Sequence, residues 1–240
     1  MAGNLSDHRD KLCLIKMKRR RPQQIELDLR TWGGRRKGAG RKPKGRKAGI
    51  PHRSRPRVTR HQPVHITLRV HRRYRNLRNK ARLIIVRRAF TGAQREGFRI
   101  TDWSLQRDHI HLIAEAQSTQ SLSRGMQGFS VRVAKGLNTL SGCSGVVFPD
   151  RFHMHVLKTP REVRGALCYV LNNARHHGEP ISRGCPDAYS SGAWFDGWRD
   201  WRSRAGPDAS SPVGPPKSWL RTTGWRKHGL IQVGETPGSH

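Results

Sequence analysis

The chain has 240 residues, room for one ordinary domain with tails or for two small ones. Its 48 lysines and arginines outnumber 16 acidic residues and leave a formal charge of +32. The natural partner of that excess is a polyanion, because each neutralised phosphate releases condensed counterions. A membrane is the rival partner, but the chain has neither a long apolar amphipathic stripe nor a run of about 18 apolar residues. The N-terminus carries no secretory pattern either, since the stretch Leu12 to Met17 is short and interrupted by Lys16. The expectation is a cytoplasmic, nucleoid-associated protein.

Residues 1–60 hold 20 of the 48 basic residues. Within them Arg35, Arg36, Lys37, Arg41, Lys42, Lys44, Arg46 and Lys47 form a run with no hydrophobic period. Such a run cannot bury a core, so residues 1–61 read as a disordered basic arm that contacts DNA phosphates. Periodicity begins next. Val64, Ile66, Leu68 and Val70 alternate with His65, Thr67 and Arg69, the pattern of a half-buried strand. A basic amphipathic helix is predicted over 74–90, with Leu77, Ala81, Ile84 and Ile85 facing inward. Strands follow at 98–105 and 109–114, and then a helix from about Ser121 with Leu122, Met126, Phe129, Val133 and Leu137 at helical spacing. A fourth strand falls at 152–157. The last helix has the plainest grammar: Thr159 as cap, Pro160 in the first turn, Glu162 completing a capping box and Gly178 at the stop.

The order β-α-β-β-α-β with a further helix spells an α+β, ferredoxin-like antiparallel sheet with helices on one face. The other face is expected to stay open for chemistry. Beyond residue 179 the periodicity fades and five tryptophans, Trp194, Trp198, Trp201, Trp219 and Trp225, stand among basic residues. Tryptophans so placed more often dock a tail onto a domain than hold DNA. This gives three parts: an arm at 1–61, a domain at 62–178 and an extension at 179–240. The cysteines Cys13, Cys143, Cys168 and Cys185 form no C-x-x-C pair, so no zinc or disulfide framework is expected.

His109 and His111 are two apart on a strand, so both point to one face while Ile110, Leu112 and Ala114 point to the other. Neutral imidazoles are good ligands for divalent ions. His153 and His155 repeat the spacing on the fourth strand and act as a decoy. In the last helix Val163, Ala166, Leu167, Val170, Leu171 and Ala174 make one apolar stripe. Tyr169 lies roughly 135° and Asn173 roughly 95° from its centre, and the two stack at i and i+4. A tyrosine hydroxyl can attack a phosphodiester and form a phosphotyrosine, but a phenol of pKa about 10 attacks poorly without help. A divalent metal on the phosphate supplies that help.

These residues resemble the REP-associated tyrosine transposases of the HUH single-tyrosine superfamily. The likeness lies in Asp108-His109-Ile110-His111-Leu112-Ile113, in Tyr169-Val170-Leu171-Asn172-Asn173 and in the Phe148 to Phe152 segment, and it spans about residues 62–178. Ala174 stands where the family often has proline, and Asp108 where a proline-led turn is usual. The resemblance implies Tyr169 as nucleophile, with His109, His111 and Asn173 as ligands of Mg²⁺ or Mn²⁺. It implies single-stranded or hairpin DNA as substrate and allows a homodimer. A nucleic-acid-binding protein that keeps this fold without the chemistry explains the charge equally well. A water-using metal hydrolase is disfavoured, since such sites are rich in carboxylates and acidic residues are scarce here.

Overall fold

A computed structural model describes residues 54–202 and 211–236. The basic run from Arg35 to Lys47 therefore lies outside the described residues. Four strands, β1 (Val64–Arg69), β2 (Phe98–Leu105), β3 (His109–Ala116) and β4 (His153–Val156), form one antiparallel sheet in the order β2-β3-β1-β4. Helices α1 (Lys80–Ala93) and α2 (Thr119–Leu140) cover its first face. There Val64, Ile66 and Leu68 of β1 and Ile110, Leu112 and Ala114 of β3 meet Val86, Phe90, Met126 and Phe129. The alternation in the sequence is thus realised as an α+β sandwich with an apolar first face.

Helix α1 starts later than its periodicity predicts. Asn76 takes the left-handed conformation at φ 71, which breaks the chain direction, and Asn79 then caps by accepting from the Arg82 N–H. The residues before it form only a short 3-10 turn, Arg72–Tyr74. The buried residues of the helix are Val86, Ala89, Phe90 and Ala93. Ile84, expected inside, is 50 % exposed, and Ala81 is exposed as well. Leu77 is buried as expected, but from the loop before the helix.

Strand β2 contains a bulge that its sequence announces by a change of parity. Phe98 and Ile100 are buried from even positions, Trp103 and Leu105 from odd ones. The register slips between Ile100 and Asp102, so that Ile100 opposes Ala114 while Asp102 opposes Ile113. One extra residue, Thr101, absorbs the slip. Asp102 and Ser104 are thereby placed on the second face beside Ile113 and His111.

Helix α3 (Pro160–His176) lies on that second face, where Val163, Leu167, Val170 and Leu171 pack with Ile113. Thr159 caps it by accepting from the Glu162 N–H, while the Glu162 carboxylate accepts from the Lys158 N–H, one residue earlier than a reciprocal box requires. Gly178, at φ 70, takes the left-handed stop.

Residues after α3 belong to the same packing. Trp198 and Trp225 are buried in the second-face cluster with Phe195 and Ile231, and their indole N–H groups donate to Gly192 O and Arg221 O. Strand β2 is an edge, and the extension occupies it: Leu105 N donates to Tyr189 O and Trp103 N to Ser191 Oγ. This satisfies backbone groups that an open edge would leave for another chain. Short helix α4 (Trp219–Thr222) carries Arg221 onto Asp102. Among the described residues no helix is long and apolar enough to cross a membrane.

Candidate active site

Strand pairing brings positions of all four strands into rows on the second face. Ser104, His111, Thr67 and His153 form one row; Asp102, Ile113, His65 and His155 form the next. His109 and His111 therefore do share a face, as their spacing requires. That face is not open at this point, because α3 lies over it and His111 is 3 % exposed. The His109 and His111 rings meet edge to face at 4.6 Å between centroids.

Tyr169 projects from α3 onto His111 and His65. Its ring meets His111 edge to face at 5.0 Å and His65 at 5.7 Å. Tyr169, Asn173 and His177 follow at four-residue intervals and so share one flank of the helix and its cap. The first of them touches His111; the last, His177, has its ring 6.2 Å from that of His109. Asn173 lies between these two contacts along the helix, and both its amide oxygen and its amide nitrogen are buried without a hydrogen-bond partner. The next-door Asn172 is different. Its amide holds the C-terminal segment through Gln232 O and Glu235 O.

The nitrogens of the two histidines are sorted by their neighbours. His109 Nδ1 lies 2.7 Å from Asp108 Oδ1, which leaves Nε2 as the remaining ring nitrogen. Burial opposes ionisation of the Asp108 carboxyl, but hydrogen bonds from His109 and Arg69 prevail and hold it below the usual aspartate range. His111 Nδ1 is 3.2 Å from both Thr67 Oγ1 and His65 Nε2, while its Nε2 is buried and unpartnered. A buried polar atom with no partner costs about 1–3 kcal/mol, so such atoms are rare unless a ligand completes them. Burial, reinforced by the neighbouring His65, His109 and His177, lowers the His111 pKa to about 2. Burial, with His155 and His153, lowers that of His65 to about 4. Both imidazoles are neutral at physiological pH, the form that ligates cations.

Sequence reasoning missed His65 and Thr67, and it read Asp108 only as a departure. His65 was visible as a polar position of the first strand, but its contact with His111 joins residues 46 apart. The decoy pair does lie on the same face, yet His153 and His155 are exposed at the sheet edge. Among the described residues no group of three or more His, Cys, Asp or Glu side chains is suited to hold a metal ion.

Residues 59–144 match the family model described as Transposase IS200 like. The match takes in β1, α1, β2, β3 and α2 with both histidines and ends before the tyrosine helix. No curated protein matches the chain. Among solved structures, one similar chain is a REP-associated tyrosine transposase bound to a REP hairpin, at 19 % identity and TM-score 0.47, over 59 % of this chain and 82 % of that one. Another is a bacterial tRNA(His) guanylyltransferase-like protein in complex with GTP, at 11 % identity and TM-score 0.33, over 47 % of this chain and 62 % of that one. The chain thus resembles the IS200-like transposases over the stretch that carries its histidine pair.

Proposed function

We propose that the protein is a DNA transposase or single-strand endonuclease that cuts and rejoins single-stranded DNA through a tyrosine. The observation that carries this reading is the packing of Tyr169 against His111, whose buried Nε2 has no partner, beside an Asn173 whose amide has none either. In this reading the Tyr169 hydroxyl oxygen attacks the scissile phosphorus, the bond from phosphorus to the 3′ oxygen breaks, and a 5′-phosphotyrosine and a free 3′-OH result. The phenolic proton is lost to solvent, and the departing 3′ oxygen takes one up. Rejoining is the reverse attack by a 3′-OH.

The residues present fit a divalent cation, Mg²⁺ or Mn²⁺, held by His109 Nε2, His111 Nε2 and the Asn173 amide oxygen. Such an ion would polarise the phosphate and offset its developing charge. Asp108 and the His65–Thr67 pair hold the outer ring nitrogens, which fixes how each imidazole presents its inner one. Resemblance to hairpin-acting transposases favours DNA with a hairpin next to the cut. Residues Arg35 to Lys47 would add phosphate contacts with a strong salt dependence.

The test uses end-labelled hairpin oligonucleotides with single-stranded flanks, with and without Mg²⁺ or Mn²⁺. Wild type is expected to form a denaturation-resistant adduct at the 5′-phosphate end of the fragment downstream of the break, and Tyr169→Phe to form none while keeping its affinity for DNA. His111→Ala should lower metal-dependent cleavage at least about tenfold more than His153→Ala. Cleavage retained by Tyr169→Phe would falsify the nucleophile assignment. Binding without adduct across many hairpins would favour a DNA-binding protein that lacks the chemistry.

A further inference from the structure

Gly165 lies in the middle of α3, one turn before Tyr169, and a side chain added there would meet nothing within 4 Å. Glycine weakens a helix interior because it loses more backbone freedom than alanine. Nothing in the packing of α3 requires it, so the open space beside it calls for another account. That space is part of a groove of about 570 Å³ whose lining includes His65, His155, Leu157, Arg161, Gly165 and Tyr169. The volume lies within the roughly 300–1,000 Å³ of small-molecule sites.

We propose that this groove holds one unpaired nucleobase of the DNA strand whose backbone passes Tyr169. The inference rests on the tyrosine-nuclease reading and adds to it a subsite and its means of recognition. Whatever fills the groove touches Tyr169, because Tyr169 forms one of its walls. The chain's charge of +32 favours a polyanionic ligand. Leu157, Gly165 and Ala166 give an apolar lining, and the imidazole of His155 stands on the same sheet face as that of His65. A base offers flat faces to such a site, and stacking on aromatic side chains does not depend on which base it is. Of the polar side chains on the lining, Thr159 and Glu162 are engaged with the backbone at the start of α3. The apolar part of the lining suits the faces of a base rather than its edges. Arg161 on the same lining, exposed to solvent, supplies a cation for the adjoining phosphate.

The experiment measures equilibrium binding of a single-stranded oligo(dT) and of an abasic phosphodiester strand of equal length. It uses full-length Tyr169→Phe, so that chemistry does not enter, with and without Gly165→Leu. The leucine enters open space and improves helix propensity, so its thermal midpoint should not fall. The parent should bind oligo(dT) more tightly than the abasic strand, and Gly165→Leu should cut that preference about tenfold while binding the abasic strand unchanged. Gly165→Ala, which adds one methyl group, should cut it less. An unchanged preference overturns the groove, as does an equal loss on both strands. Adduct formation by wild type, assayed separately, reports whether the tyrosine reading stands when the groove does not.

Discussion

The second face of the sheet carries two sets of buried polar groups, and they are finished differently. At the end where α4 docks, Asp102 receives two hydrogen bonds from the Arg221 guanidinium at 2.6 and 2.8 Å, and Glu115 receives the Lys217 and Ser218 N–H groups and the Ser218 hydroxyl. At the other end, His111 Nε2 and both amide atoms of Asn173 are equally buried and have no partner. The same sheet, strands and burial yield a paired network and an unpaired one. A paired network locks a structure together. An unpaired one is a standing cost that a ligand, a reacting group or a water can offset. The paired end is not wholly satisfied either, since Arg99 keeps one buried guanidinium nitrogen without a partner.

Three substitutions or conditions can break that contrast, and in stability terms the largest effect belongs to the paired end. Asp102→Ala strands the Arg221 charge in the interior and should destabilise by about 3–5 kcal/mol. Chemical denaturation of wild type and variant reads this directly, and a loss below about 1 kcal/mol would mean that Arg221 finds solvent or another partner. A smaller effect comes from acid. The pKa of His65 is lowered in the folded chain to about 4, whereas in the unfolded chain it is near the ordinary 6.5. Between these values the unfolded state binds a proton that the folded state refuses. Stability should therefore be full above about pH 6.5 and fall as the pH drops toward 4, by on the order of 2–3 kcal/mol for His65 alone. Denaturation midpoints across that range in EDTA should fall for wild type and fall less steeply for His65→Gln, in which buried His111 still refuses the proton; identical profiles would show that His65 is not what titrates. The smallest stability effect belongs to the unpaired end. Asn173→Leu removes an amide that has no partner, so stability should hold or rise by up to about 1 kcal/mol while metal-dependent cleavage falls at least about tenfold. If that variant loses stability instead, Asn173 has a structural partner and is no ligand.

Much of this was legible before any tertiary structure. Alternation in residues 64–70 and 109–114 placed β1 and β3 and sorted their faces, because a strand has a period of two whatever it packs against. The start and stop of α3 followed from Thr159, Pro160 and Gly178 for reasons internal to one helix turn. The start of α1 did not, since the positive φ at Asn76 goes with tertiary contacts: its N–H donates to Arg107 O, and its carbonyl accepts from Arg82. That the extension docks was legible in its tryptophans, two of which are buried, but where it docks was not, because that rests on single long-range contacts such as Arg78 with Asp187, 109 residues apart.

By itself, the sequence determined the polyanionic bias, the α+β order, the shared face of His109 and His111 and the shared flank of Tyr169 and Asn173. Each of these is set by net charge or by the local period of strand and helix. The tertiary structure alone decided that the two pairs meet, that His65, Thr67 and Asp108 hold the histidine rings, and that His111 and Asn173 are left without partners. Those outcomes depend on strand register and on where α3 lies across the sheet, and both are settled by burial of apolar surface far along the chain from the residues they align.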